Sequence, residues 1–138
     1  MEQEDEMQYV TALKVQDQDL LTLNRVVNNA AGLELGITIF SHGRIISGLL
    51  TSGKDFYSTT AEKLKAVGAL GESLAIYFDG KANQMYTYDE SEGEIPNNFL
   101  HLKKVSVMSD NGSRLDMKNA MLRIKIEEIE GYVLGNTD

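Results

Sequence analysis

Hydrophobic residues change their spacing several times along this chain, and each change predicts a new element. Over residues 17–31, Leu20, Leu23, Val27, Ala30 and Ala31 recur at helical spacing and share one face. Asp17 or Asp19 can accept from the free amides of the first turn, and Gly32 suits a left-handed stop. The period then falls to two. Leu33, Leu35, Ile37 and Ile39 alternate with Glu34, Gly36, Thr38 and Phe40, which predicts a strand with one buried face. Ser41-His42-Gly43-Arg44 reads as a tight turn with Gly43 at positive φ. Ile45 to Ser52 forms the return strand, and Gly48 inside it suggests a bend or a close backbone approach.

Helical spacing returns over residues 58–78, where Leu64, Val67, Leu74 and Phe78 make a stripe and Thr59 with Glu62 has capping-box spacing. Gly68 and Gly71 each cost about 1 kcal/mol against alanine, so this helix needs tertiary support or breaks there. Asp79-Gly80 reads as a turn and Gln84–Tyr88 as a short strand. Residues 81–96 hold Asp89, Glu90, Glu92, Glu94 and the only proline, Pro96, and their acidic part reads as a mobile loop. Phe99 to Met108 predicts a strand whose phase slips. Leu100 and Leu102 share a face that Val105 and Val107 do not, so a bulge or corner is expected near Lys103-Lys104. Asp110-Asn111-Gly112 is a hairpin turn. Leu122, Ile124 and Ile126 alternate with charged residues, the phase shifts at Glu128, and Ile129, Gly131 and Val133 continue beyond it. Such a corner lets one segment serve both sides of a small barrel.

The chain has 138 residues, enough for one domain with a single core. Residues 1–16 carry Glu2, Glu4, Asp5 and Glu6 and read as a partly disordered acidic tail, leaving 17–138 as one domain with an insertion at about 58–96. The acidic start has no apolar stretch of the secretory kind, and no run approaches the ~20 apolar residues that span a bilayer. Without cysteine there is no disulfide, thiolate nucleophile or thiolate metal site, which fits a cytoplasmic protein. A net charge of −8 repels phosphate backbones, so nucleic acid is an unfavoured partner, as is an anionic membrane.

Two resemblances follow from particular residues. Gly43-Arg44-Ile45-Ile46-Ser47-Gly48-Leu49-Leu50 resembles the first motif of Sm-like proteins, and Ile124-Lys125-Ile126-Glu127-Glu128-Ile129 resembles the second. Ile126 replaces the glycine and Lys125 the arginine of the RNA-contacting motif, and residues 58–96 intrude where Sm-like proteins have a short turn. That likeness implies a barrel and argues against its RNA pocket. More specifically, the chain resembles the gas vesicle accessory protein U family. The matching stretches are Ile46-Ser47-Gly48 through Ser52, Asp55-Phe56-Tyr57, Phe99-Leu100-His101-Leu102-Lys103, and Ile126 through Gly135. The resemblance implies a small non-enzymatic cytoplasmic protein associated with gas vesicle formation or clustering, with no catalytic residues or cofactor to carry over.

Candidate chemistry is sparse. His42 lies in a turn and has no partners at ligand spacing. His101 alternates with Leu100 and Leu102, which points it to solvent or an interface. Ser47 and Ser52 flank Gly48 without a nucleophile-elbow pattern and read as strand serines on the polar face. Gly43 and Gly48 make no phosphate loop, and the carboxylates of 89–94 lack calcium-loop spacing. Lys103, Lys104, Arg123 and Lys125 either form a local positive patch or, as favoured, pair across strands with Glu127 or Glu130. Phe56, Tyr57, Tyr86 and Tyr88 either cap the core or anchor a partner. With His101 and Lys103 they are the candidate interaction residues; Gly43, Gly48 and Gly131 are the candidate turn and bend positions.

The expected fold is α+β: a small, strongly bent antiparallel β-barrel of the Sm-like or SH3-like kind, with an N-terminal helix and an inserted helix. Exposed strand edges would favour a homo-oligomer, a dimer or a ring. The leading expectation is an accessory or scaffold protein acting through itself and gas vesicle proteins. An Sm-like nucleic-acid binder and a small-ligand-binding domain are the alternatives.

Overall fold

The computed structural model describes residues 15–30, 32–87 and 94–136. Helix α1, Gln18–Asn29, starts where the side chain of Asp17 accepts from the amides of Asp19 (2.8 Å) and Leu20 (3.4 Å). Its buried side is Leu20, Asn24 and Val27. Strands β1, Leu35–Ser41, and β2, Arg44–Thr51, pair as a hairpin across His42 (φ 50°) and Gly43 (φ 78°), the two left-handed residues of a primed turn. Strand β3, Phe99–Met108, pairs with β2, and strand β4, Arg114–Lys125, pairs with β3. A 3-10 turn over Ile126–Glu128 leads to strand β5, Gly131–Leu134, which pairs with β1.

The sheet order is β4-β3-β2-β1-β5, antiparallel throughout. The α+β class holds, but the expected barrel is not closed: β4 and β5 are opposite edges and form no ladder with each other. Residues 126–130 carry the chain from one edge to the other, so the sheet curls without joining. Ile126, fully buried, belongs to the main core, and its amide donates to the carbonyl of Asn98 (3.0 Å).

The main core lies on one face of the sheet. Leu20 and Val27 of α1 pack there with Ile37, Ile39, Ile46, Leu50, Leu100 and Leu102. Asn24, also fully buried, donates to the side chain of Asn97 (2.9 Å) and to the carbonyl of Phe99 (2.8 Å), tying α1 to the start of β3. Gly48 sits at a register shift between β2 and β3, where a Cβ would come within 2.8 Å of the Lys103 carbonyl oxygen. The expected bulge near Lys103-Lys104 is present, with Lys104 at φ 52°.

The insertion departs most from expectation. Helix α2 covers Gly53–Lys65, capped by Ser52, whose hydroxyl accepts from the amide of Asp55 (3.0 Å); Thr59 and Glu62 are interior positions and no capping box. The expected break is real: Gly68, φ 115°, separates α2 from helix α3, Ala69–Gln84. Asp79-Gly80 lies inside α3 and is no turn, and no strand forms at residues 84–87. In the expected stripe, Val67 and Leu74 face water while Leu64 and Phe78 are half-buried. Ser47 is buried and shares a 3.0 Å hydrogen bond with Thr38, so it is not on a solvated face. Val133 is exposed, and its neighbour Tyr132 packs on the core. Gly131 opens β5 opposite Phe40. Residues 1–14 of the acidic tail, Tyr88 and residues 89–93 of the acidic stretch lie outside the described residues.

Candidate functional site

Cross-strand pairing places Thr51, His101 and Arg123 side by side on β2, β3 and β4. They occupy the face opposite Leu100 and Leu102. Alternation along β3 therefore predicts the face of His101 correctly. That face is not open to solvent, because α2 and the end of α3 close over it. His101 is fully buried, a correction of the solvent-facing expectation. Its ring centroid lies 5.0 Å from Phe56, 6.2 Å from Tyr57 and 5.5 Å from Tyr86. Tyr57 in turn stacks against Phe78 and Tyr86. The aromatics thus cap a second, smaller core.

Arg123 is the charged member of this cluster. Its Nη1 donates to Nε2 of His101 (2.9 Å) and to the Tyr86 hydroxyl (3.1 Å), and its guanidinium lies 3.7 Å from the Phe99 ring centroid. An arginine only donates, so Nε2 of His101 accepts and the neutral ring carries its proton on Nδ1. That Nδ1 is buried with no partner among the described residues. Burial, reinforced by the neighbouring Arg123 charge, pushes the His101 pKa down to about 3. Burial also raises the Tyr57 hydroxyl, against the opposing pull of Arg123. The imidazole is neutral and enclosed at physiological pH. It ties the α2–α3 hairpin to the sheet, and no substrate reaches it in this conformation.

Lys103 stands beside this cluster, paired with Glu34 and, at 3.6 Å, with Asp55 of α2. Among the described residues the expected partners Glu127 and Glu130 make no ion pair with these basic residues: Glu130 accepts from the His42 amide (2.9 Å), and the His42 ring meets Glu128 (2.7 Å). The importance of Arg123 was hidden by register. The hairpin turn alone sets His101 opposite Met121. The ladder sets Lys104 against residues 118–120, which moves His101 opposite Arg123. Among the described residues, no group of three or more His, Asp or Glu converges as a metal site requires. No helix among them is long and apolar enough to cross a membrane.

The stretches 55–57 and 99–103, far apart in sequence, meet at this cluster. A family model described as Gas vesicle protein GvpU-like matches residues 17–137. The chain belongs to the GvpU-like gas vesicle protein family. The match runs from the N-cap of α1 to beyond β5, so it takes in the sheet and the helical hairpin alike. No curated protein and no solved structure matches the chain. Of the candidate interaction residues in this GvpU-like protein, Phe56, Tyr57, Tyr86 and His101 converge, Lys103 flanks them, and Tyr88 lies outside the described residues.

Proposed function

We propose that this GvpU-like chain is a non-enzymatic accessory protein of the cytoplasm. It works by self-association and by contacts with gas vesicle proteins, in vesicle formation or clustering. One observation carries the reading: α3 is turned against the usual order. Its fully buried positions are the small residues Gly71, Ala75 and Ala82, with Phe78 half-buried beside them, while other large apolar side chains face water. Leu70 is 77% exposed, Ile76 75% and Tyr77 59%. Leu70, Leu74 and Tyr77 follow one another at three- and four-residue spacing and so form one stripe, with Ile76 exposed beside it. Burying one such side chain is worth about 1.5–3 kcal/mol, so leaving four in water is a standing cost that an interface removes. The edges β4 and β5, open among the described residues, are further surfaces for contact between copies.

Light scattering on the purified chain, joined to a pull-down against gas vesicle shell proteins, tests this reading. The wild type is expected to exceed monomer mass and to retain shell protein. The double substitution Leu70→Glu and Leu74→Glu, at exposed positions, is expected to lose both with its circular dichroism intact. A monomeric wild type that recovers no vesicle protein refutes it.

A further inference from the structure

The face beside α2 carries a second feature, which deepens the reading of protein contact and rests on it. Five of the chain's 13 lysines and arginines, Lys63, Lys103, Lys104, Arg114 and Lys118, line two adjoining concavities of about 290 and 380 Å³. The carboxylates there are Asp55 and Asp116, so this surface is positive on a chain of net charge −8. Lys103 and Arg114 are held in ion pairs, and Lys63 donates to the carbonyl of Asn119. The side chains of Lys104 and Lys118 are exposed and make no hydrogen bond or close ion pair among the described residues, and Lys118 acts on Asp116 only through its charge.

Backbone geometry sets these two lysines. Lys104 and residues 118–120 sit where the β3–β4 register breaks, outside the ladder. Lys104 is left-handed there, at φ 52°, a conformation that costs a non-glycine residue about 1 kcal/mol or more and that tends to persist at functional places. The irregularity adjoins the outer edge of β4, which has no neighbouring strand among the described residues.

We infer that this cleft binds a short acidic segment of a partner protein, extended along β4, with its carboxylates on Lys104 and Lys118. Two observations select a peptide over a nucleic acid. The positive area is local, and the remainder of the chain repels a long polyphosphate. The aromatics that would stack on bases are consumed beneath, since Tyr57 and Tyr86 are buried. An edge strand supplies main-chain bonds and the lysines supply the preference for acid.

Fluorescence anisotropy on the full chain tests this, using a fluorescein-labelled alternating Glu-Ser peptide. The comparison ligands are the Gln-Ser peptide, single-stranded RNA and inorganic phosphate as competitor. Saturable binding of the acidic peptide is expected, weakening as salt rises. Lys104→Glu with Lys118→Glu is expected to weaken it about tenfold, by removing two exposed pairs and adding two repulsions. Arg25→Glu, on exposed α1 surface, is expected to leave it unchanged. Equal binding of the neutral peptide or RNA, displacement by phosphate at equal concentration, or indifference to the double reversal overturns the inference. Light scattering on the same samples separates the two ideas, because the lysine reversals leave the α3 stripe intact and the Leu70 and Leu74 substitutions leave the cleft intact.

Discussion

Acid should destabilise this protein through His101 by an amount that can be worked out. In the unfolded chain the imidazole takes up a proton near its ordinary pKa of about 6.5. In the folded chain it resists until about pH 3, because it is buried and faces Arg123. The depressed pKa means that the unfolded state binds more protons between these two values. Folding stability is therefore complete above the upper value and falls as pH drops toward the lower one, by up to about 1.4 kcal/mol per unit. Taken from about pH 7 to about pH 5, the loss comes to roughly 2 kcal/mol, a large share of a total stability of about 5–15 kcal/mol. The charged or titratable groups facing the ring are Arg123 from β4, Tyr57 from α2 and Tyr86 just beyond α3. The assay is urea unfolding at both pH values for the wild type and for His101→Gln, whose amide oxygen still accepts from Arg123. The many carboxylates contribute equally to both proteins and cancel. The wild type should lose about 2 kcal/mol more than the variant on acidification. Equal losses would show that His101 is not held neutral, and the description of this cluster would fail.

Two further perturbations probe the same architecture. Arg123→Ala strands the acceptors on His101 and Tyr86 and removes the cation from the Phe99 face, so an increase in unfolding of about 3 kcal/mol is expected, read from the denaturant midpoint. Arg123→Lys should recover little of it, because an ammonium lacks the planar fork; full recovery would reduce the role of Arg123 to charge alone. Gly48→Ala drives a methyl into the Lys103 carbonyl and should cost about 1–3 kcal/mol, and a thermal midpoint unchanged from wild type would mean that the bulge yields freely.

Features read from neighbours in sequence survived best. The β1–β2 hairpin follows from period-two alternation on either side of His42-Gly43, and the β3 boundaries follow from a polar break at each end. Asp17 announces α1 because a cap acts over three residues. The start of α2 was missed because Ser52, Gly53 and Lys54 carry no apolar signal, and the true cap is as ordinary a serine as any in a loop. Asp79-Gly80 has turn composition, yet the contact of α3 with α2 keeps it helical. Asn24 lies outside the apolar set of α1 and carries no signal along the helix, yet it is the buried tie between α1 and β3.

The family is a property of the sequence by itself, and so are the buried faces of β1 and β3. Those depend on spacing along one backbone, and a strand alternates whatever surrounds it. The cover over His101, its pairing with Arg123 and the failure of β4 to reach β5 were decided by tertiary structure. Each depends on a helix or strand remote in sequence, and on a register that a bulge at Lys104 displaces. Alternation along β3 specifies which way an imidazole points, while only the folded chain brings Phe56, Tyr57 and Tyr86 to exclude water from it.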